Sequence, residues 1–163
     1  MDDFEGALEN FLVGKEESNV WMKRLCFTEV LVCSNLLQTM FTKTQQDMTS
    51  KQWLLLTIAS SVEEPPTLSE LGTVMGCSRQ NIKQIADVLS RKGYLAFTKI
   101  QGDKNTVRIV PTQKWAVYAA ENEKVTGRIL EDIFEGFSHE EIKLHFKSFI
   151  KIIKNIEKIN KSL

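Results

Sequence analysis

Thr67-Leu-Ser-Glu-Leu-Gly-Thr-Val-Met-Gly76-Cys-Ser78-Arg-Gln-Asn-Ile-Lys-Gln-Ile-Ala-Asp-Val-Leu-Ser-Arg-Lys-Gly93 is the stretch that decides how this chain folds. Thr67 with Glu70 is a T-x-x-E capping box, so a helix opens at Leu68, with Leu68, Leu71, Val74 and Met75 recurring at helical spacing. Gly76 stops it. Ser78 then caps a second helix, which carries Ile82, Ile85, Ala86 and Leu89 on one side and ends at Gly93, placed as a left-handed C-cap. Two β-prone runs follow at once, Tyr94 to Ile100 and Thr106 to Val110, bracketing the turn sequence Gln101-Gly-Asp-Lys-Asn105. Helix, turn, helix and hairpin make a winged helix-turn-helix, a layout that points to DNA.

The second helix has a reading face. Opposite Ile82, Ile85 and Leu89 lie Gln80, Gln84, Asp87 and Arg91, flanked by Asn81 and Lys83. Gln and Asn bond an adenine edge with two hydrogen bonds, and Arg or Lys does the same to guanine or neutralises phosphate. The recognition-helix candidates are therefore Ser78, Arg79, Gln80, Asn81, Lys83 and Gln84; the wing candidates are Lys99, Asp103, Lys104, Asn105 and Arg108. Formal net charge is zero, but it is unevenly placed. Residues 67 to 114 hold eight Lys or Arg against three Asp or Glu, whereas residues 1 to 20 hold one Lys against six acids. Basic surface is concentrated where DNA would sit.

These residues give the chain a resemblance to the MarR family of bacterial transcription regulators. A Leu-Thr that opens the helix before the motif corresponds to Met48-Thr49, ahead of Ser-Lys-Gln-Trp53. The Leu-x-x-x-Gly-hydrophobic end of the recognition helix is Leu89-Ser-Arg-Lys-Gly93-Tyr-Leu95. The wing's Asp-Arg-Arg before Leu-Thr is Asp103-Lys104-Asn105 before Pro111-Thr112. The likeness runs from about Trp21 to the C-terminus. It thins in the wing, where the family's paired arginines are Lys104 and Asn105, and Phe97 stands where another Arg is common. The resemblance implies a mainly α fold with a small β-hairpin wing (α+β minor). Residues 1–163 would be one MarR-like domain, with 1–47 and 113–163 as dimerisation helices and 48–112 as the DNA-binding lobe. It implies a homodimeric repressor on a pseudo-palindromic stretch of double-stranded DNA, released by a small-molecule effector and needing no cofactor. The family binds small aromatic molecules between the dimer helices and the DNA-binding lobe; Trp21, Phe27, Trp53 and Trp115 are the candidates to line such a pocket here, or else they are core.

The flanks carry their own signal. From Asn19 to about Thr44 runs a helical pattern that is apolar over too much of its girth for a surface helix, with Trp21, Leu25, Val32, Leu36 and Met40 on one stripe and Phe27, Leu31, Leu37 and Phe41 around it. Thr112 is placed to cap a helix through Trp115 to Phe134, and Ser138 with Glu141 forms another capping box before a last helix through Ile159. Together these exceed what a small winged module covers, and a second copy would cover them. Residues Asp2 to Val13 read as an extra short helix. The 163 residues, 42% hydrophobic, suffice for one domain with a real core. No stretch approaches about 18 uninterrupted apolar residues and the acidic N-terminus is no signal peptide, so a cytoplasmic protein outside the membrane is expected.

Other chemistry fares worse. No G-x-G-x-x-G, G-x-x-x-x-G-K-[ST], H-E-x-x-H or G-x-S-x-G is present, so no enzyme is expected. Gly72 and Gly76 read only as G-x-x-x-G in a polar helix. His139 and His145 are six apart, a spacing that does not put both imidazoles on one helix face, and no metal site is expected. Cys26 and Cys33 lie about 10 Å apart along one helix, too far for a disulfide, whose Cα atoms approach within about 7 Å. Cys77 precedes a helix N-terminus beside Arg79, the setting that activates a thiol, although a small residue filling a tight turn is the simpler reading. Two alternatives thus stand beside the DNA reading: a dimeric protein-interaction module that keeps the winged fold without specific DNA binding, and a thiol-based redox sensor.

Overall fold

The computed structural model describes residues 6–7, 18–44, 47–100 and 103–162, without the side chains of residues 100 and 103–106. The chain divides into two compact units, Met1–Thr112 and Gln113–Leu163. The first holds helices α1 (Asn19–Thr44), α2 (Ser50–Ser60), α3 (Leu68–Met75) and α4 (Arg79–Arg91), then strands β1 (Leu95–Ile100) and β2 (Asp103–Pro111). The second holds α5 (Gln113–Ile133) and α6 (His139–Ser162). The short helix expected over Asp2–Val13 lies, except for Gly6 and Ala7, outside the described residues.

Capping starts the helices of the lobe. At α3 the Thr67 hydroxyl accepts from the Glu70 N–H at 3.2 Å while the Glu70 carboxylate accepts from the Thr67 N–H at 2.7 Å. The same reciprocal pair opens α2, where Thr49 and Gln52 exchange bonds of 3.3 and 3.1 Å. Each box satisfies two of the N–H groups a helix start leaves orphaned, and losing such a cap costs about 1 kcal/mol. At the far end of α4 the Tyr94 N–H reaches back to the Leu89 carbonyl at 3.0 Å, which turns the chain out of the helix and into β1.

Leu55 and Leu56 of α2, Leu71 of α3, Ile82 and Leu89 of α4 and Ile109 of β2 are all at most 1% exposed and meet as the core of the first unit. Burying each such side chain is worth about 1.5–3 kcal/mol over leaving it in water. Val74 is a correction to the expected apolar face: it is 66% exposed. The buried side of α3 centres on Leu68, Leu71 and Gly72, and Val74 sits more than a quarter turn round from that line. The strands pair antiparallel from Leu95↔Pro111 to Lys99↔Val107, with a slip at Lys99/Ile100 that sets Ile100 opposite Asp103. β2 therefore begins at Asp103, where a turn was expected to run to Asn105; the irregularity in register absorbs the difference.

The terminal helices remain open. Neither α1 nor α6 has a buried residue, and Phe27, Leu31 and Leu36 on the one and Phe146, Ile153 and Ile159 on the other are largely exposed. By length and composition α1 would suffice to cross a membrane, with a mean hydropathy of 1.3 over its most apolar window. In the second unit Trp115 is buried and stacks on Tyr118 at 5.9 Å, and the Ser138–Glu141 box opens α6. Thr112, expected to cap α5, donates its hydroxyl to the Gly93 carbonyl at 2.7 Å, closing the base of the hairpin.

Candidate nucleic-acid interface

The turn between α3 and α4 fixes the pose of the polar helix. Gly76 takes the left-handed conformation, φ 62°, that a side chain would strain, so the chain reverses within two residues. The Cys77 N–H then bonds the Gly72 carbonyl at 2.8 Å, and the Ser78 hydroxyl accepts from Asn81 N–H at 3.2 Å to start α4. Gly72 makes this passage possible: a Cβ there would stand 2.8 Å from the Cys77 carbonyl oxygen. It positions α4, a role that the G-x-x-x-G spacing does not reveal. A glycine inside a short capped helix was the available signal.

With Ile82, Ala86 and Leu89 fully buried, α4 turns its other side outward. Arg79, Gln80, Lys83, Gln84 and Arg91 are exposed and Asn81 is half-buried. Arg79, Gln80 and Gln84 make no side-chain hydrogen bond or ion pair among the described residues. Lys83 differs: its ammonium pairs with the Asp87 carboxylate one turn on and lies 5.2 Å from the centre of the Phe97 ring in β1. The aromatic residue at the wing position where the resemblance would place an arginine thus faces a cation of α4. Ser78 uses its hydroxyl oxygen as the helix cap, leaving the hydroxyl proton to donate outward.

In the wing, Lys99 is exposed. The side chains of Asp103, Lys104 and Asn105 lie outside what the structure describes. Arg108 points back into the lobe, donating to the Pro65 carbonyl and, at 3.2 Å, to the Glu64 carboxylate. Bonds from the Thr67 backbone, and then its hydroxyl, hold the Glu70 carboxyl below its ordinary pKa.

The four aromatic residues named for an effector pocket lie on three helices, α1, α2 and α5. Trp21 and Phe27 both lie on α1, six residues and so about 120° apart, Trp21 with the Arg24 guanidinium 5.2 Å from its ring. Trp53 packs on Phe41 at 5.3 Å, and Trp115 belongs to the second unit. Cys77 is half-buried with its sulfur 3.4 Å from the Met75 carbonyl, and Cys26 and Cys33 are exposed. Among the described residues no three of His, Cys, Asp and Glu gather to hold a metal.

A winged helix-turn-helix with an exposed polar face on its second helix is the class that fold and site define. No protein-family profile matches the chain. Solved structures do. A MarR/EmrR family transcriptional regulator from Acinetobacter sp. ADP1 superposes with a TM-score of 0.72 at 16% identity, over 84% of this chain and 98% of its own. FabT of Streptococcus pneumoniae, solved in complex with DNA, gives 0.61 at 17% identity, over 85% and 99%. PcaV of Streptomyces coelicolor, solved with its natural ligand, gives 0.67 at 14%, over 87% and 96%. The chain has the winged-helix fold of MarR family regulators, as its motifs implied.

Proposed function

We propose that this protein is a DNA-binding transcription regulator of the MarR type, a cytoplasmic homodimer that represses from a pseudo-palindromic operator and is not an enzyme. The observation that carries the reading is the exposed row Arg79, Gln80 and Gln84 on the N-terminal half of α4, free of partners among the described residues. Long polar side chains held outward on a rigid, capped helix are what major-groove readout requires. Arg79, Gln80, Asn81, Lys83 and Gln84 reach bases, while Ser78 and the wing's Lys99, Lys104 and Asn105 bond phosphate. That a protein of the same fold was solved with DNA supports this assignment.

The open apolar faces of α1 and α6 support the dimer. A second copy is a better cover for α1 than lipid, because Glu29, Asn35 and Gln38 interrupt its apolar run and would be costly inside a bilayer. That PcaV was solved with its natural ligand supports an effector, with Trp21, Phe27, Trp53 and Trp115 the residues to examine. A salt titration of binding to operator-bearing duplex tests the function. Affinity should fall steeply, by about 0.9 decades per decade of salt for every phosphate neutralised. A protein that retains no fragment at low salt is an interaction module instead, and a solution mass near the single chain's 18.7 kDa would remove the homodimer.

A further inference from the structure

A two-stranded ribbon is marginal by itself in water, so the angle of this wing must be fixed by what its edges touch. Its base is closed by Thr112, whose N–H donates to the Tyr94 carbonyl at 3.0 Å and whose hydroxyl donates to Gly93. The outer edge of β2 meets the segment Glu64-Pro65-Pro66-Thr67 that leads into α3. There the Ile109 N–H donates to the Pro66 carbonyl at 2.9 Å, and Thr67 forms an isolated antiparallel bridge with Arg108. Pro65 and Pro66 have no N–H to give, so the backbone cannot extend this contact into a third full strand. The Arg108 side chain extends it. Its guanidinium curls back over the segment, one N–H going to the Pro65 carbonyl and another to the Glu64 carboxylate.

The two bonds are unequal. Glu64 is 84% exposed, and an ion pair there contributes little. The Arg108 side chain is only 25% exposed, and its charge-assisted bond to a proline carbonyl that no backbone N–H reaches among the described residues is the stronger tie.

We propose that Arg108 is a positioning residue of the wing: it fastens β2 to the loop before α3, sets where the hairpin meets DNA, and leaves phosphate contact to exposed residues such as Lys99. The inference rests on the DNA-binding reading for its consequence, but not for its geometry. A clamp and a strut carry the same charge and differ in what they do to salt. A phosphate clamp releases counterions from DNA, whereas a guanidinium already satisfied within the protein releases none. They differ also in tolerance, since lysine keeps the charge but lacks the fork that spans a carbonyl and a carboxylate.

The test uses the full chain and a duplex enriched by the parent protein from a random pool, with fluorescence anisotropy over a range of salt. Arg108→Gln is expected to bind about five- to tenfold more weakly with the parent's salt slope. Arg108→Lys is expected to behave like it, and in both the Ile109 amide should exchange with solvent faster. Lys99→Gln, the contrast, is expected to flatten the slope by about 0.9 while Ile109 stays protected. A flattened slope in Arg108→Gln, parental affinity in Arg108→Lys, or unchanged Ile109 protection in both would each overturn the strut. If the parent enriches no duplex, the DNA reading fails, and Ile109 exchange in the two Arg108 variants still decides the geometry.

Discussion

Replacing Gly72 by alanine adds one methyl group at the tightest passage of the helix-turn-helix, and two opposing effects set the outcome. In an open helix the change stabilises by about 1 kcal/mol, because alanine has the better helix propensity. At Gly72 the new Cβ would stand 2.8 Å from the Cys77 carbonyl oxygen and 3.6 Å from the Arg79 nitrogen. Both are backbone atoms of the turn, held by the Cys77–Gly72 hydrogen bond, and cannot swing aside as a side chain would. Overpacking of this kind costs about 1–3 kcal/mol, so the steric effect wins and a net loss of about 1 kcal/mol is expected. That corresponds to a melting temperature lower by roughly 2–4 °C. Relief of the contact must push α4 away from α3, so DNA affinity should fall as well. Gly127→Ala supplies the contrast, since nothing lies within 4 Å of a Cβ built in α5, and a gain of about 0.5–1 kcal/mol is expected. The assay is chemical denaturation of both variants beside the parent, followed by DNA titration. A Gly72→Ala protein as stable as Gly127→Ala, with parental affinity, would refute the close-approach reasoning.

Thr67→Ala removes the hydroxyl half of the α3 capping box, leaving the backbone N–H on the Glu70 carboxylate, and is expected to cost about 1 kcal/mol at neutral pH. Because Glu70 titrates below its ordinary value in the folded chain, its contribution is present above the unfolded pKa and fades as pH falls through the lowered folded one. The variant loses only the hydroxyl's share of that shift and should show a slightly shallower acid limb in a plot of stability against pH; a limb parallel to the parent's would count against the hydroxyl's part in it. Gln84→Ala is expected to lose about 1–3 kcal/mol on the cognate site and to relax discrimination at one base position per half-site; unchanged base preference removes it from the readers. Cys77→Ser keeps the size of the turn residue and should bind DNA like the parent, including after peroxide treatment. Loss of an oxidant-triggered release that the parent shows would make the protein a thiol sensor.

What the sequence revealed and what it hid divide along a physical line. Thr67 with Glu70, Ser78, and Ser138 with Glu141 act within one turn of chain, so their roles follow from spacing, and the helices begin where those residues put them. The alternation of buried Ile82, Ala86 and Leu89 with exposed Gln80 and Gln84 follows from the helical period in the same way. Contacts between residues far apart in sequence left no such trace. Lys83 and Arg108 read as free cations available to DNA, yet one faces Phe97 and the other reaches Pro65, 43 residues upstream. Gly72 looked incidental because a missing side chain carries no pattern; only the path of the turn gives it meaning. Val74 shows the limit of apolar periodicity in an eight-residue helix, where a stripe buried on one line leaves its neighbour in solvent.

The most direct measurement is selection of bound duplexes from a random pool by the full-length protein, with the enriched sequence then titrated against salt. The expected result is an inverted repeat whose half-site centres lie about one helical turn apart, each half-site containing adenines read by Gln80 and Gln84, bound more weakly as salt rises. A pool that stays unenriched at low salt, with the protein folded, would contradict the assignment of α4 as a reader of DNA.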